Sequence, residues 1–214
     1  LLTATEKMRN RDADYPFRFD SHFHYLCGFT EPESALVLIV TADGAHRSIL
    51  FCRERDAERE TWDGLRFGPE GAREAFGIEH AQSIATLDET MTSLLANCPA
   101  IWVALGSEPA LDSRISRWLS AVRAQSRAGV SAPSNAIDVR SAIDEMRLIK
   151  DPLEIDTMRR AAMISADAHK RAMRTTRPGQ FEYQVEAELL HEFRSRGAQS
   201  VAYGSIVALS LIHI

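Results

Sequence analysis

The stretch Ile143-Asp-Glu-Met-Arg-Leu-Ile-Lys-Asp-Pro-Leu-Glu-Ile155 predicts the start of a helix and of a new domain. Asp151 is a good N-cap, Pro152 suits the first helical turn, and Glu154 can accept hydrogen bonds from free backbone N–H groups. Such a cap stabilises a helix by about 1 kcal/mol. Only residues 151–214 follow it, fewer than the roughly 70–80 that a core without disulfides or metals usually needs. The sequence therefore predicts an incomplete second domain.

The composition excludes several functional classes. Among 214 residues, 45% are hydrophobic, 26% are charged, and the net charge is −5. This balance is ordinary for a globular protein and favours neither a nucleic-acid surface nor an anionic membrane. The longest apolar runs are far shorter than a membrane span, and no signal-peptide pattern is visible.

The cysteines and the chain ends indicate where the protein works and how complete it is. Cys27, Cys52 and Cys98 are odd in number and widely spaced, so we expect neither a disulfide framework nor a structural zinc site. A reducing cytoplasm fits this usage. Because the chain begins at Leu1 without an initiator methionine, we also expect a fragment whose N-terminus is incomplete.

The first part of the chain alternates predicted strands and helices, which indicates an α/β layer domain ending near residue 140. Near-continuous apolarity in 35–40 predicts burial on both faces, and Asp43-Gly44 predicts a hairpin turn. A capping box is expected from Thr86 to Glu89, and 129–135 is the best linker candidate. The predicted strands are 23–26, 35–40, 48–52 and 101–105, and helical stripes contain Leu87, Met91, Leu94 and Leu95, then Leu111, Ile115, Leu119 and Val122.

Beyond the linker the pattern is helical. One helix carries Ile155, Met158, Ala162, Ala166 and His169 on one face, and a second carries Phe181, Val185, Leu189 and Phe193. Residues 176–179 separate the two helices, and Gly197 suits the end of the second. A strand is predicted at 205–209, with a lost sheet partner.

No reactive constellation can be derived from spacing alone. His191-Glu192 lacks the second histidine of a zinc-protease motif, because Ser195 stands in its place. His22 and His24 would share a face of the predicted strand, but two histidines favour a solvated or hydrogen-bonded face over a metal site. The charges of 140–177 alternate in sign and indicate a solvated helix face.

Several blocks, in order, resemble the bacterial Xaa-Pro aminopeptidases. The first is Asp20-Ser21-x-Phe23-x-Tyr25-Leu26-x-Gly28-Phe29-x-Glu31-Pro32-Glu33, and Arg53-x-Arg55-Asp56 with Trp62-x-Gly64 resembles the next. Glu145 to Ile155, then Arg177-Pro-Gly-x-x-Glu182-Tyr183 and Tyr203-x-x-Ile206-Val207, are similar to the opening of the catalytic domain. The resemblance covers nearly the whole chain.

The resemblance implies a creatinase-like N-terminal α/β domain with a mixed sheet over 1–140. An incomplete α+β pita-bread domain of metallopeptidase family M24 would follow over 141–214. In this family two divalent ions, typically manganese, generate a hydroxide that attacks the bond before a proline in second position. The family's five metal ligands follow the strand predicted at 205–209. The resemblance therefore implies no catalytic residue and no metal ligand in this chain.

Two aromatic residues matched by the resemblance are candidates for substrate binding. Trp62 belongs to a loop that in the family approaches an active-site mouth, often that of a neighbouring subunit, and Tyr203 stands near the start of the catalytic sheet. A packing role is an equal alternative for both. Residues 209–214 depart from the family pattern, so we predict a foreign tail and assign no role to His213.

The leading hypothesis is a fragment of a cytoplasmic, manganese-dependent Xaa-Pro aminopeptidase, a proteolytic hydrolase that is homo-oligomeric when whole. The fragment itself is predicted to be inactive. Two alternatives stay open: a non-catalytic binding module of the same fold, and a fragment of a prolidase or creatinase relative.

Overall fold

The computed structural model describes residues 8–11 and 13–208. The chain forms two compact units, residues 1–146 and residues 147–214.

The first unit alternates short strands with helices. Its strands are β1 (Met8–Asn10), β2 (Ala13–Asp14), β3 (Ala35–Val40), β4 (His46–Cys52), β5 (His80–Ser83), β6 (Ala100–Val103) and β7 (Asn135–Asp138). Its α-helices are α1 (Ser21–Cys27), α2 (Ala57–Asp63), α3 (Gly68–Phe76), α4 (Leu87–Leu94), α5 (Pro109–Arg123) and α6 (Arg140–Met146). Short 3-10 helices occupy Ile84–Thr86 and Ser126–Ala128.

The strands form a mixed sheet and two smaller pairs. β3 and β4 are antiparallel, and β5 runs parallel to β4, which gives the order β3-β4-β5. β6 and β7 form a separate parallel pair, and β1 pairs with β2. The predicted turn at Asp43-Gly44 does join β3 to β4, and Gly44 has a φ of 84° that suits glycine. The prediction of an α/β fold with a mixed sheet is confirmed.

The segment predicted as a strand at 23–26 is helical. The Asp20 side chain accepts a hydrogen bond from Phe23 N at 2.8 Å, and Gly28 ends α1 with a φ of 69°. These are an N-cap and a left-handed glycine at the helix C-terminus. The two caps favour a helix here, although the alternation of apolar residues is typical of a strand. His22 and His24 therefore do not share a strand face.

Two further local predictions were wrong. Thr86 makes no capping hydrogen bond to α4, because it belongs to a 3-10 helix that Ser83 caps instead. The segment 129–135 is not an interdomain linker, since it leads into β7 inside the first unit. Hydrogen bonds hold it there: Asn97 N donates to Ser131 O at 2.7 Å, and Ser134 N donates to Pro99 O at 3.2 Å.

Apolar side chains cover both faces of the central strand β4. Ile49 and Phe51 belong to a cluster with residues of α4, α5 and β6, whereas Leu50 and Cys52 belong to a second cluster on the opposite face. This alternation follows from the two-residue period of a strand. Burial of both faces was also predicted for β3. That prediction was wrong at the end of the strand, where Leu38 and Val40 are 58% and 73% exposed.

An ion pair and a hydrogen bond fasten α4 to α5. Asp88 Oδ1 accepts hydrogen bonds from Trp118 Nε1 at 2.7 Å and from Arg114 Nε at 2.9 Å. The Trp118 ring is buried, so its N–H requires this partner.

The second unit contains two helices, α7 (Pro152–Thr175) and α8 (Glu182–Ser195). The capping box predicted at the start of α7 is confirmed, because Asp151 Oδ1 accepts from Glu154 N and Glu154 Oε2 accepts from Asp151 N, each at 2.8 Å. Residues 205–208 are not in a strand, contrary to prediction, and the remainder of that prediction and the tail 209–214 lie outside the described residues.

None of the helices in the described ranges combines the length and the apolarity needed to cross a lipid bilayer.

Candidate functional site

Trp62 lies in the last turn of α2 and is 84% exposed. Leu65, three residues later, is 83% exposed. Large apolar side chains that are exposed close together in sequence are typical of a surface that meets a ligand or another protein. The segment 62–67, which comprises the end of α2 and the loop after it and is called the Trp62 loop below, is therefore the first candidate site, and its geometry depends on how both of its ends are held.

The helix that leads into this loop is fixed by polar contacts. The Asp56 carboxylate caps α2 by accepting hydrogen bonds from Glu58 N and Arg59 N, both at 3.1 Å. The Arg55 guanidinium donates two hydrogen bonds to the Glu60 carboxylate, at 3.2 and 3.0 Å. Such a two-pronged pair holds α2 in a defined orientation relative to the strand end before it.

The other end of the loop is held by Glu31, a residue that is 36 positions away in sequence. Its Oε1 accepts a hydrogen bond from Phe67 N at 2.8 Å, and the Phe67 ring packs edge-on against Phe76 with 5.0 Å between centroids. Between the two ends, the Arg66 guanidinium donates a hydrogen bond to the Asp63 carboxylate at 3.2 Å. These contacts, called the frame of the loop below, hold both ends of the segment while the Trp62 ring stays exposed to solvent.

A polar cleft of about 600 Å³ lies beside this frame. Four arginines and four carboxylates line it, together with Ser83 and Ile84: Arg53, Arg55, Arg59, Arg66, Glu33, Glu54, Asp56 and Asp63. The equal numbers of opposite charges give the cleft no net charge. The arrangement therefore supports no particular preference for an anion or a cation.

Arg53, which lines the cleft, is paired with the mostly buried Glu31. Glu31 Oε2 and Arg53 Nη2 are 4.0 Å apart, and the two side chains are 11% and 15% exposed. Among the described residues, Glu31 Oε2 and the Nε atoms of Arg53 and Arg66 have no hydrogen-bond partner. Opposite charges at this distance stabilise each other in a low-dielectric setting, which suits a supporting role for the loop above.

Cys52 and Cys27 are poor nucleophiles. Burial, with Glu31 and Glu70 nearby, raises the pKa of the Cys52 thiol to about 12. Burial also raises the pKa of Cys27. Because the thiolate is the reactive form, neither side chain suits covalent catalysis near neutral pH.

The histidines considered as metal ligands make other contacts. His22 Nε2 lies 2.8 Å from Asp144 Oδ1, whereas the His24 ring stacks on Phe19 with 4.3 Å between centroids. His169 Nδ1 contacts the carbonyl of Ser165 within α7 at 2.8 Å. Within residues 8–11 and 13–208, no three His, Cys, Asp or Glu side chains are grouped to hold a metal ion.

Tyr203 lies in the second unit, eight residues beyond the end of α8, and is 78% exposed. It is outside any helix or strand. Trp62 and Tyr203 thus belong to different units, and each remains a predicted substrate-binding residue.

Sequence reasoning gave no role to Glu31, Glu60 or Phe67, the residues that support the Trp62 loop. The pairing of Glu60 with Arg55 could have been expected, because the two opposite charges lie only five residues apart in sequence. No local pattern could link Glu31 to Phe67, because that contact depends on the fold.

Comparisons with known proteins match two parts of this chain to two families. Residues 1–102 match the aminopeptidase P N-terminal domain, and residues 156–212 match metallopeptidase family M24. The chain thus combines the two domains in the order that the motifs predicted.

Within this class, the chain is similar to the Xaa-Pro aminopeptidases. The Xaa-Pro aminopeptidase of Escherichia coli is 40% identical over 97% of this chain and 47% of its own length. The low-pH form of E. coli aminopeptidase P matches with a TM-score of 0.91, covering 96% of this chain and 47% of that one, at 40% identity. A zinc-substituted form of E. coli aminopeptidase P in complex with product also matches, at a TM-score of 0.88 and 40% identity over 92% of this chain and 45% of that one.

The resemblance drawn from the motifs is confirmed, and the comparisons do not favour a non-catalytic binding module. The chain spans about half the length of the curated relatives it matches.

Proposed function

We propose that this chain is part of a metal-dependent Xaa-Pro aminopeptidase that removes an N-terminal residue preceding proline. The observation that carries the proposal is the 40% identity to an Xaa-Pro aminopeptidase over 97% of the chain. The whole enzyme would act on peptides with proline in second position, in the cytoplasm and as a homo-oligomer.

The proposed cofactor is a pair of divalent ions, with manganese as the expected metal. Two cations lower the pKa of a bound water and stabilise the negative charge that develops on the scissile carbonyl. The described residues do not fit such a site, because they contain no group of three potential ligands. The ligands would therefore lie outside the described part, and the 214 residues alone are proposed to be inactive.

Trp62 and Tyr203 are the proposed substrate-binding residues. In support, Trp62 stands exposed on a loop whose frame is fixed by Asp56, Arg55 and Glu31. An aromatic ring held this way can cover an apolar peptide side chain at small cost in conformational entropy. We also propose a domain boundary at 140/141, a few residues before the division at 146/147 between the compact units.

The function is tested by an assay with two matched peptides, Xaa-Pro-Xaa and Xaa-Ala-Xaa, in the presence of excess manganese. The 214-residue chain should release no amino acid above a metal-free control. A longer polypeptide that spans the full length of the relatives should cleave the proline peptide and lose activity with a chelator. Cleavage of both peptides at equal rates, or activity that survives the chelator, would refute the proposal.

The role of Trp62 is tested in that longer protein with Trp62→Ala and Trp102→Ala. Both rings are exposed, Trp62 at the end of α2 and Trp102 in β6, so neither change should prevent folding. Trp62→Ala should raise KM, whereas Trp102→Ala, which removes the same side chain outside the candidate site, serves as the matched control. Equal kinetics for the two variants and the unaltered protein would exclude Trp62 from the substrate site.

A further inference from the structure

The polar cleft beside the Trp62 loop separates its charges, although they balance overall. Of the eight charged residues that line it, Arg53 and Arg66 are mostly buried, with side chains 15% and 12% exposed, and the other six are exposed. The exposed part therefore carries four carboxylates against two arginines, whereas the buried part carries two arginines. A ligand in this cleft would meet positive charge at the inner end and an excess of negative charge at the mouth.

The two inner arginines keep hydrogen-bonding capacity that their protein partners do not use. Arg66 donates to Asp63 through Nη2 at 3.2 Å, and Arg53 Nη2 lies 4.0 Å from Glu31 Oε2, beyond hydrogen-bond distance. In the described part of the chain, the Nε atoms of both arginines have no partner. Because buried donors without a partner are costly, the two guanidinium groups favour a further acceptor.

The wall of the cleft is held in place by contacts within the protein. The Arg55 guanidinium donates two hydrogen bonds to Glu60, a residue that does not line the cleft. The Arg55 side chain also lies against Gly68, where a Cβ atom would be 2.9 Å from Arg55 Cγ. Asp56 accepts hydrogen bonds from two backbone N–H groups at the start of α2. A wall that is already ordered lowers the entropic cost of binding.

This distribution of charge matches a ligand with one negative and one positive group. A carboxylate suits the Arg53 and Arg66 guanidinium groups, which present several N–H donors in one plane. An ammonium group can donate to Glu33 and Glu54, whose exposed carboxylates line the mouth. The carboxylates at the mouth oppose the entry of a simple anion, and the inner arginines oppose the binding of a simple cation.

We propose that the cleft binds a small zwitterion, the chemistry that free amino acids and short peptides share. The carboxylate of the ligand lies at Arg53 and Arg66, and its ammonium group lies toward Glu33 and Glu54. The cleft volume of about 600 Å³ is within the roughly 300–1,000 Å³ that small-molecule sites occupy. All of these residues belong to the first unit, and the inference does not depend on the proposed peptidase activity.

The test is an NMR titration of the 214-residue chain with glycine and, separately, with glycylglycine. Arginine Nε–H groups give their own signals, so the two inner arginines report on binding directly. At least one of the two probes should shift the signals of Arg53 and Arg66 until they saturate. The tighter of the two identifies the ligand as a free amino acid or a peptide. Saturation by neither probe would overturn the proposal.

Two probes with a single charge are the matched controls. Acetate has the carboxylate of glycine without its ammonium group, and methylamine has the ammonium group without the carboxylate. Each should bind at least about tenfold more weakly than the better zwitterion, because each loses one set of charged hydrogen bonds. Acetate or methylamine that binds as tightly as the zwitterion would overturn the proposal in favour of a simple anion or cation site.

Substitutions locate the binding within the chain. Arg66→Met should weaken binding of the zwitterion about tenfold or more, whereas Arg73→Met, in α3 and outside the cleft, should leave it unchanged. Equal affinities in these two variants would contradict the assignment.

A second variant keeps the test valid if Arg66→Met does not fold. Glu33→Gln combined with Glu54→Gln changes two exposed side chains only, so the fold should be retained. It should weaken binding of the zwitterion but not of acetate, because it removes the partners of the ammonium group. Unchanged affinity for the zwitterion in this double variant would overturn the proposal.

Discussion

Within the described residues, twenty apolar side chains are buried in the first unit, whereas Ala168 and Val185 are the two buried in the second. The first unit packs helices against both faces of β4. The second consists mainly of two helices whose large apolar residues remain exposed, among them Met158, Met163, Met173, Phe181 and Tyr183. Apolar burial is the main source of stability in a folded domain, so the units should differ strongly in stability.

Charged side chains take the place of a core between α7 and α8. Arg171 contacts Glu188 at 2.6 Å and Glu192 at 3.5 Å. Arg196 contacts Glu192 at 2.6 Å and Asp167 at 3.0 Å. Solvent-exposed ion pairs contribute only about 0–1 kcal/mol each. The difference shows that one chain can join elements by burial in one unit and by surface charge in another.

The largest expected effect is in the core of the first unit. Phe51 is fully buried, so Phe51→Ala should lower its free energy of unfolding by about 3–5 kcal/mol, through lost apolar contacts and the resulting cavity. Urea denaturation followed by circular dichroism measures the loss. Leu65→Ala, at a position 83% exposed, is the control and should change stability by less than about 0.5 kcal/mol. Similar losses in the two variants would contradict the packing described for β4.

A smaller effect is expected at the start of the second unit. Asp151→Ala removes the N-cap of α7 and should cost about 1 kcal/mol, since Glu154 N loses its acceptor. Amide exchange in the first turn of α7 should accelerate, with no change in β4. Asp156→Ala removes the same charge from a pair with Arg159 on the surface of α7 and serves as the matched control. Equal exchange in both variants would mean that the capping box adds no stability.

The charged contacts between α7 and α8 should be weaker still and sensitive to salt. Arg171→Met removes both contacts of Arg171. The free energy of unfolding should fall by less than about 1 kcal/mol, because the Arg171 side chain is 36% exposed. Amide exchange in α8 should accelerate with added salt in the unaltered chain and depend less on salt in the variant. Arg159→Met, which breaks a contact within α7 only, should retain the salt dependence. A fall of several kcal/mol in the free energy of unfolding would contradict the small contribution expected for these exposed contacts.

The smallest effect concerns pH and the first unit. Hydrogen bonds from Arg140 lower the pKa of Asp138 to about 2, from 3.8. The unfolded chain therefore binds more protons between these values, so this contribution is present above about pH 4 and is lost as the pH falls through about 2. Asp138→Asn should remove that part of the acid dependence, as measured by urea midpoints from pH 5 to 2. An unchanged pH profile in the variant would contradict the assignment.

Local signals predicted the elements that are stabilised by local interactions. The capping box at Asp151 and the turn at Asp43-Gly44 were confirmed because their contacts join residues close in sequence. The strand predicted at 23–26 was wrong, although Asp20 and Gly28 carried the helix signals that the apolar alternation obscured. The strand predicted at 205–209 was not found in 205–208, since a strand needs a partner that local sequence does not specify.

The candidate site shows the same division. A motif made Trp62 a predicted substrate-binding residue, but it predicted neither the exposure of the ring nor the contacts that hold the segment around it. The Glu31 contact to Phe67 joins residues 36 positions apart, so only the folded chain could show it.

The sequence by itself determined the resemblance to the Xaa-Pro aminopeptidases, the helix start at Asp151 and the hairpin of β3 and β4. Motifs, caps and turns are short-range features that residue identity specifies directly. Tertiary structure alone decided that 129–135 stays within the first unit and that Glu31 supports the Trp62 loop. These features depend on contacts between distant residues, and such contacts form only when burial brings the whole unit together.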